Sequence, residues 1–150
     1  IMSLIEYVDE QCIELDCEFC NWKEAILFAG KLLENNGFIN HKYSNDMVEL
    51  VEKCGAYIVV MPGVAMCHAR PNGNVNKNSI SIVRLNTGIE FGHPVNDPVK
   101  IIFAIAAVND EEHLKLFQAV ANYLMIEGSL EELMNCKNKK EMIKEIIENE

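Results

Sequence analysis

Residues 101–117, IIFAIAAVNDEEHLKLF, hold the junction on which the fold turns. Ile101 to Val108 is an unbroken apolar run of strand length and reads as a central strand buried on both faces. Asn109 can accept a hydrogen bond from the first turn of a helix, and Glu112, three residues on, completes the capping-box arrangement. A helix over Asp110 to Ile126 is therefore predicted to follow the strand directly.

The same alternation extends outward from this junction. Cys12 to Cys17 alternates as a strand, with Cys12, Glu14 and Asp16 on one face and Ile13, Leu15 and Cys17 on the other. Asn21 and Glu24 form another capping box; Trp22, Ala25, Ile26, Ala29, Leu32 and Leu33 recur at helical spacing, and Gly37 supplies the stop. Gly30 inside that helix costs about 1 kcal/mol relative to Ala, which implies close packing at that point. Ser44 is expected to open a second helix, with Met47, Leu50, Val51 and Cys54 as its apolar stripe and Gly55 as its end. Tyr57 to Met61, bounded by Pro62 and Gly63, reads as a strand buried on both faces. Residues 70–78 (RPNGNVNKN) are a polar loop and 79–86 (SISIVRLN) an alternating strand; 88–97 (GIEFGHPVND) form a second loop region with a short strand around Ile89 to Phe91. From Ser129 onward the chain reads as two amphipathic helices. Strands and helices thus alternate, which argues for an α/β sheet covered on both faces.

Composition bounds the function. A chain of 150 residues is most simply one domain, residues 1–150, and can bury about two thirds of its unfolded surface. The net charge of −10, with only 13 Lys and Arg spread along the length, excludes a nucleic-acid role and favours basic partners. The apolar run at 101–108 is too short to span a bilayer and no signal-peptide pattern opens the chain, so the expected location is cytoplasmic. Ile1 ahead of Met2 reads as a residue left over from cloning and is set aside. The six cysteines are expected to be reduced thiols. Cys12, Cys17 and Cys20 match the C-x4-C-x2-C spacing of plant-type iron–sulfur proteins, but the strand alternation of the first two argues against a cluster loop.

Of the four histidines, His41 and His93 lie in polar loops and read as solvated side chains. His68 sits among small and apolar residues in PGVAMCHARP, residues 62–71, where Gly63, Ala65 and Ala69 would let another molecule approach its ring. His113 lies in the first turn of the helix after the central strand and shares a face with Phe117, Val120 and Leu124. If the strands preceding them are parallel, both rings emerge at one carboxyl edge of the sheet and converge on one pocket. The alternative is that either ring is a core residue bonded to a backbone carbonyl. No metal-ligand spacing accompanies the pair, Cys67 should point away from its neighbour His68, and the Gly-rich loop of nucleotide kinases is missing. What remains is a histidine acting as nucleophile, attacking phosphorus in line. His113 would then donate to the phosphoryl oxygens near the positive end of its helix.

The stretch at 57–75, YIVVMPGVAMCHARPNGNV, resembles the phosphorylation loop of the IIA components of the bacterial sugar phosphotransferase system, in the mannitol/fructose superfamily (EIIA type 2). The pattern there is Pro-Gly-Ile/Val-Ala-Leu/Met-Pro-His-Ala-Arg-Pro. NWKEAILFAGKLLENNGFINHKY (21–43) and FGHPVNDPVKIIFAIAAVNDEEHL (91–114) follow the family's order, and the likeness covers about residues 20–145. The L-ascorbate branch is the most similar: Leu50 and Val51 stand where mannitol and fructose members carry an Arg-Glu pair. The resemblance implies a mixed central sheet sandwiched between helices on both faces. It implies a phosphotransferase working through a phosphohistidine: His68 accepts phosphate from the carrier HPr and passes it to a cysteine of a IIB component. His113 would stabilise the phosphorylated state, no cofactor would be needed, and the membrane would be met only through the IIC transporter. The sugar would be L-ascorbate or a related sugar acid or pentitol. Cys67 replaces the family's Pro, which predicts a less rigid loop. The competing reading is a IIA-like regulatory domain of a sugar-responsive transcription regulator, although the chain contains no helix-turn-helix; a third is a non-catalytic binding module with His68 buried.

Overall fold

The apolar run after Pro98 is the middle of the molecule. The computed structural model describes residues 3–150; Ile1, read as left over from cloning, lies outside them. In chain order a short 3-10 turn (Leu4–Tyr7) leads into β1 (Val8–Cys17), α1 (Trp22–Asn35), α2 (His41–Cys54), β2 (Val59–Met61) and β3 (Val64–Cys67). Then come β4 (Ser79–Ile89), β5 (Val99–Ala106), α3 (Asp110–Leu124), α4 (Ser129–Asn135) and α5 (Lys139–Glu148). The strands form one five-stranded sheet in the order β1-β4-β5-β3-β2. β1 runs parallel to β4 and β3 parallel to β5, while the β4–β5 and β2–β3 pairs are antiparallel, so the sheet is mixed.

Side-chain alternation along β5 divides the core between the two faces. Ile102, Ala104 and Ala106 point toward α1 and α2, where Ile26, Leu33 and Met47 cover them. Ile101, Phe103 and Ile105 point the other way, against Leu116 and Val120 of α3 and Met142 and Ile146 of α5. This is the α/β architecture with helices on both faces that the alternation of elements predicts.

Several elements differ from the sequence reading. The strand expected at Tyr57–Met61 is only Val59–Met61 and lies at the sheet edge, with Val60 46% exposed. The buried strand is the next one, Val64–Cys67, because β3 rather than β2 pairs with β5. The two runs are equally apolar; only the pairing separates edge from centre.

Ser44 does not open α2. Asn40 caps it, accepting from the Tyr43 N–H, while Ser44 is the fourth residue of the helix, buried, and donates to Glu34 at 2.6 Å. The close packing expected at Gly30 is there, since a Cβ on Gly30 would lie 2.2 Å from Ser44 Oγ.

β4 continues to Ile89, which pairs with Val99, so Ile89–Phe91 is not a separate strand. Its serines face the interior too: Ser81 is fully buried and donates to the Ala29 carbonyl. The alternation expected in β1 breaks at Asp16, whose φ of 57° turns Cys17 to the side of Cys12. Arg84 reaches Asp16 at 3.2 Å and also donates to the Leu133 and Cys136 carbonyls, tying β1 and β4 to the α4–α5 junction.

Candidate functional site

Parallel pairing of β3 with β5 brings two loops to one edge. Cys67 lies opposite Ala104, so the chain leaves both strands on the same side of the sheet. His68 follows β3 at once. β5 passes through the N-cap Asn109, which accepts from the Glu112 N–H at 2.8 Å, and α3 carries His113 in its first turn. The two imidazole rings lie 5.2 Å apart between centroids at 61°. Phe117, one turn further along α3, touches both, with centroids 4.9 Å from His68 and 5.0 Å from His113. The convergence expected from sequence is present, but by another route: the strand read before His68, Tyr57–Met61, overlaps β2, which runs antiparallel to β3, and it is β3, not read as a strand, that lies parallel to β5.

The pair opens into a hollow of about 460 Å³ whose wall includes Tyr57, Val60, Leu114 and Phe117. Asp110 lines it as well, and an adjoining hollow of about 270 Å³ adds Leu50 and Arg70. The mouth is largely apolar and exposed: Tyr57 is 49% and Leu114 60% accessible.

Hydrogen bonding decides the tautomer of His68. Nδ1 lies 2.9 Å from the Met66 carbonyl, which can only accept, so the proton sits on Nδ1 and Nε2 carries the lone pair. Tyr57 Oη lies 3.2 Å from Nε2 and must be the donor of that bond. Burial lowers the His68 pKa below the ordinary imidazole value, and the bond to Met66 opposes this in part. The His113 pKa is lowered by burial, then by the nearby His68; Asp110 pulls the other way. His113 Nδ1 is buried and has no hydrogen-bond partner among the described residues. Both rings are thus held toward the neutral form, and the Nε2 lone pair of His68 meets the hydroxyl of Tyr57, another residue of the hollow's wall.

Cys67 faces the α1–α2 core, 1% exposed, and burial pushes its thiol well above the ordinary range, so it takes no part in the hollow. The freedom expected from Cys in place of Pro is countered by two restraints. Cys67 itself is held in the β3–β5 pairing. Beyond His68, buried Tyr43 accepts from the Ala69 N–H at 3.1 Å and donates to the Ile105 carbonyl at 2.6 Å, stapling the loop to β5.

The remaining histidines separate. His41 is exposed and pairs with Glu34 at 3.1 Å. His93, expected to be solvated, is half-buried: its Nδ1 accepts from the Val95 and Asn96 N–H groups at 3.1 and 2.9 Å. The loop folds over it because Asp97 simultaneously accepts from the N–H groups of Phe91, Gly92 and His93. Among the described residues no group of three or more His, Cys, Asp or Glu side chains is placed to hold a metal ion, and no helix is long and apolar enough to cross a membrane.

Sequence reasoning passed over Tyr57, Arg70 and Tyr43. For Tyr57 a signal exists. Val59 pairs with Ala65 and Met61 with Val64 across the Pro62-Gly63 turn, and extending that hairpin register by a pair brings Tyr57 opposite the residues beside His68. Arg70 and Tyr43 carry no such local sign.

Comparison with known proteins bears on the family and the fold. The family described as "Phosphoenolpyruvate-dependent sugar phosphotransferase system, EIIA 2" matches residues 6–149. The ascorbate-specific PTS system EIIA component of Escherichia coli (strain K12) is 32% identical over 136 residues, covering 90% of this chain and 88% of that protein. The solution structure of the mannitol-specific cryptic phosphotransferase enzyme IIA from Escherichia coli superposes with a TM-score of 0.85 at 31% identity, covering 97% of this chain and 98% of that one. A further likeness, of fold alone at 23% identity and a TM-score of 0.81, is to the mannitol enzyme IIA of Escherichia coli seen in complex with its phosphorylated enzyme IIB; it covers 92% of this chain and 95% of that one.

Proposed function

The chain belongs to the EIIA 2 family of the phosphoenolpyruvate-dependent sugar phosphotransferase system, and from that premise we propose that it is a phosphocarrier whose acceptor is His68. The observation that carries this reading is the tautomer: Nδ1–H is tied to the Met66 carbonyl, so Nε2 presents its lone pair at the mouth of the hollow. A neutral imidazole oriented in advance can attack phosphorus in line, and positioning then supplies most of the rate.

The donor is the phosphohistidine of HPr. As the Nε2–P bond of His68 forms, the donor's N–P bond breaks and its ring keeps the electron pair. The phosphoryl group later leaves for a cysteine of a IIB component, and the pair returns to Nε2. His113 lies beside the site at the N-terminal end of α3, where exposed backbone N–H groups and the helix dipole favour an anion. It supports the phosphorylated state by donating to a phosphoryl oxygen.

In this reading residues 1–150 act as one EIIA domain in the cytoplasm, reaching the membrane only through a IIC transporter. The sugar is L-ascorbate or a related sugar acid or pentitol; the ascorbate-specific relative at 32% identity supports that choice. The apolar mouth around Tyr57 and Leu114, on a chain of net charge −10, suits partners that bring apolar and basic side chains.

The test is incubation with phosphoenolpyruvate, Enzyme I and HPr. The wild type is expected to gain one acid-labile phosphoryl group by mass, and His68→Ala none. A wild type that stays unmodified would reject the carrier reading.

A further inference from the structure

We propose that the Tyr57 hydroxyl takes part in the transfer: at rest it donates to the Nε2 lone pair of His68, and once phosphorus is bound there it donates to a phosphoryl oxygen instead. The proposal rests on the reading of His68 as the acceptor.

Both nitrogens of the His68 ring are held by one hairpin. Met66 of β3 offers its carbonyl to Nδ1 at 2.9 Å, and Tyr57, just before β2, brings its hydroxyl to Nε2 at 3.2 Å. The two grips are themselves linked, because the Met66 N–H donates to the Ile58 carbonyl, next in the chain to Tyr57, at 2.9 Å. The edge-on contact of the Tyr57 and His68 rings, 83° at 5.8 Å, completes the fit. Rotation of the imidazole about its own axis would break both hydrogen bonds, so the hairpin sets the direction of the nucleophile.

The same geometry puts the hydroxyl where the phosphoryl group must arrive. In-line attack needs the lone pair that Tyr57 occupies, so the hydroxyl has to yield as phosphorus approaches. Its position at the half-exposed rim leaves room for this. The new anion then needs donors. Of the side chains lining the 460 Å³ hollow, His68 has already committed its Nδ1 proton, Asp110 repels an anion, and Tyr57 and His113 remain to donate, with Arg70 at the adjoining hollow. The Tyr57 O–H is not lost in the exchange: Nε2–P forms, the donor N–P bond breaks with its electron pair, and the phenolic proton stays on oxygen while its acceptor changes. Burial raises the Tyr57 pKa, which keeps that proton in place.

Tyr57→Phe removes the hydroxyl and keeps the ring, so it separates hydrogen bonding from docking area. In nitrogen NMR of the unphosphorylated protein, the His68 Nε2 resonance is expected to move toward that of an unbonded imidazole nitrogen, with the Nδ1 proton retained. With saturating phosphorylated HPr the rate of phosphoryl uptake should fall about tenfold at unchanged KM, as for a lost hydrogen bond to a charged group. Tyr57→Leu should add a rise in KM, since it also removes ring area from the mouth. An Nε2 resonance identical in wild type and Tyr57→Phe overturns the resting contact. A change in KM alone in Tyr57→Phe overturns the role in transfer and makes Tyr57 a docking residue. A wild type that takes no phosphate from HPr defeats the carrier reading instead, and the resonance still reports the contact independently.

Discussion

His68 and His93 sit at opposite edges of the same sheet, and each has its tautomer set by backbone groups. At the carboxyl edge of β3 and β5, the carbonyl of Met66 takes the proton side of His68 and leaves the lone pair outward. At the other edge, before β5 begins, two N–H groups take the lone pair of His93. The loop built on His93 then braces the hairpin: Asn96 accepts from the Gly63 N–H at 2.9 Å and donates to the Val59 carbonyl at 2.9 Å. A lone pair can serve the fold or a reaction, and the nitrogen that the backbone binds decides which. One imidazole organises a turn; in the proposed function the other is the nucleophile, and the loop built on the first braces the hairpin that holds it.

That contrast is sharpest in transfer kinetics. His113→Ala should lower phosphoryl uptake by His68 by about a hundredfold, the scale of losing one donor to a developing anion, in a rapid-quench assay with phosphorylated HPr. Unchanged kinetics would leave His68 to work without its neighbour. His93→Ala should instead leave uptake within about twofold, while destabilising the fold by about 1–2 kcal/mol in urea unfolding, because two N–H groups lose their acceptor. If His93→Ala cut uptake as deeply as His113→Ala, the division between the two edges would fail.

The smallest effect is the pH dependence. The folded-state pKa values of His68 and His113 lie below the ordinary 6.5, so the unfolded chain binds protons first as the pH drops. The stability these rings contribute is fully present above about pH 6.5 and is lost as the pH falls through their lowered folded values. Urea midpoints should therefore decline below that pH, less so in a His68→Ala, His113→Ala double variant. Uptake should stay flat down to pH 6.5 and fall only below it, because the neutral nucleophile persists.

The parts of the fold that were readable are those whose signals are local. α1 and α3 announce themselves through the caps Asn21 and Asn109, each followed by an apolar stripe within a few turns; the expected boxes do not close, since Glu24 accepts from the Cys20 N–H and Glu112 from Asn78 and Lys115. The start of α2 is ambiguous in sequence because Asn40 and Ser44 are both capping residue types; the packing of Ser44 against Gly30, a contact between two helices, places the cap at Asn40. The Val59–Met61 and Val64–Cys67 runs look alike, and their difference in burial comes from strand order. In the site, His68 stands out as a polar ring among apolar neighbours, and His113 because helical spacing sets it on one face with Phe117, Val120 and Leu124 just after the central strand. Tyr57 did not, since a tyrosine at the head of an apolar run is ordinary until the hairpin folds it back.

The sequence by itself determined where the helices lie to within a turn, where the apolar runs are, and that two imidazoles follow two of those runs, because caps, periodicity and residue chemistry act within a few positions of one another. Only the tertiary structure decided that β3 rather than β2 lies beside β5, that the two rings share one hollow, and which nitrogen of His68 faces it. Those outcomes depend on hydrogen bonds and packing between residues far apart in the chain, such as Cys67 opposite Ala104 and Tyr43 against Ile105. Such contacts exist only once the sheet has closed.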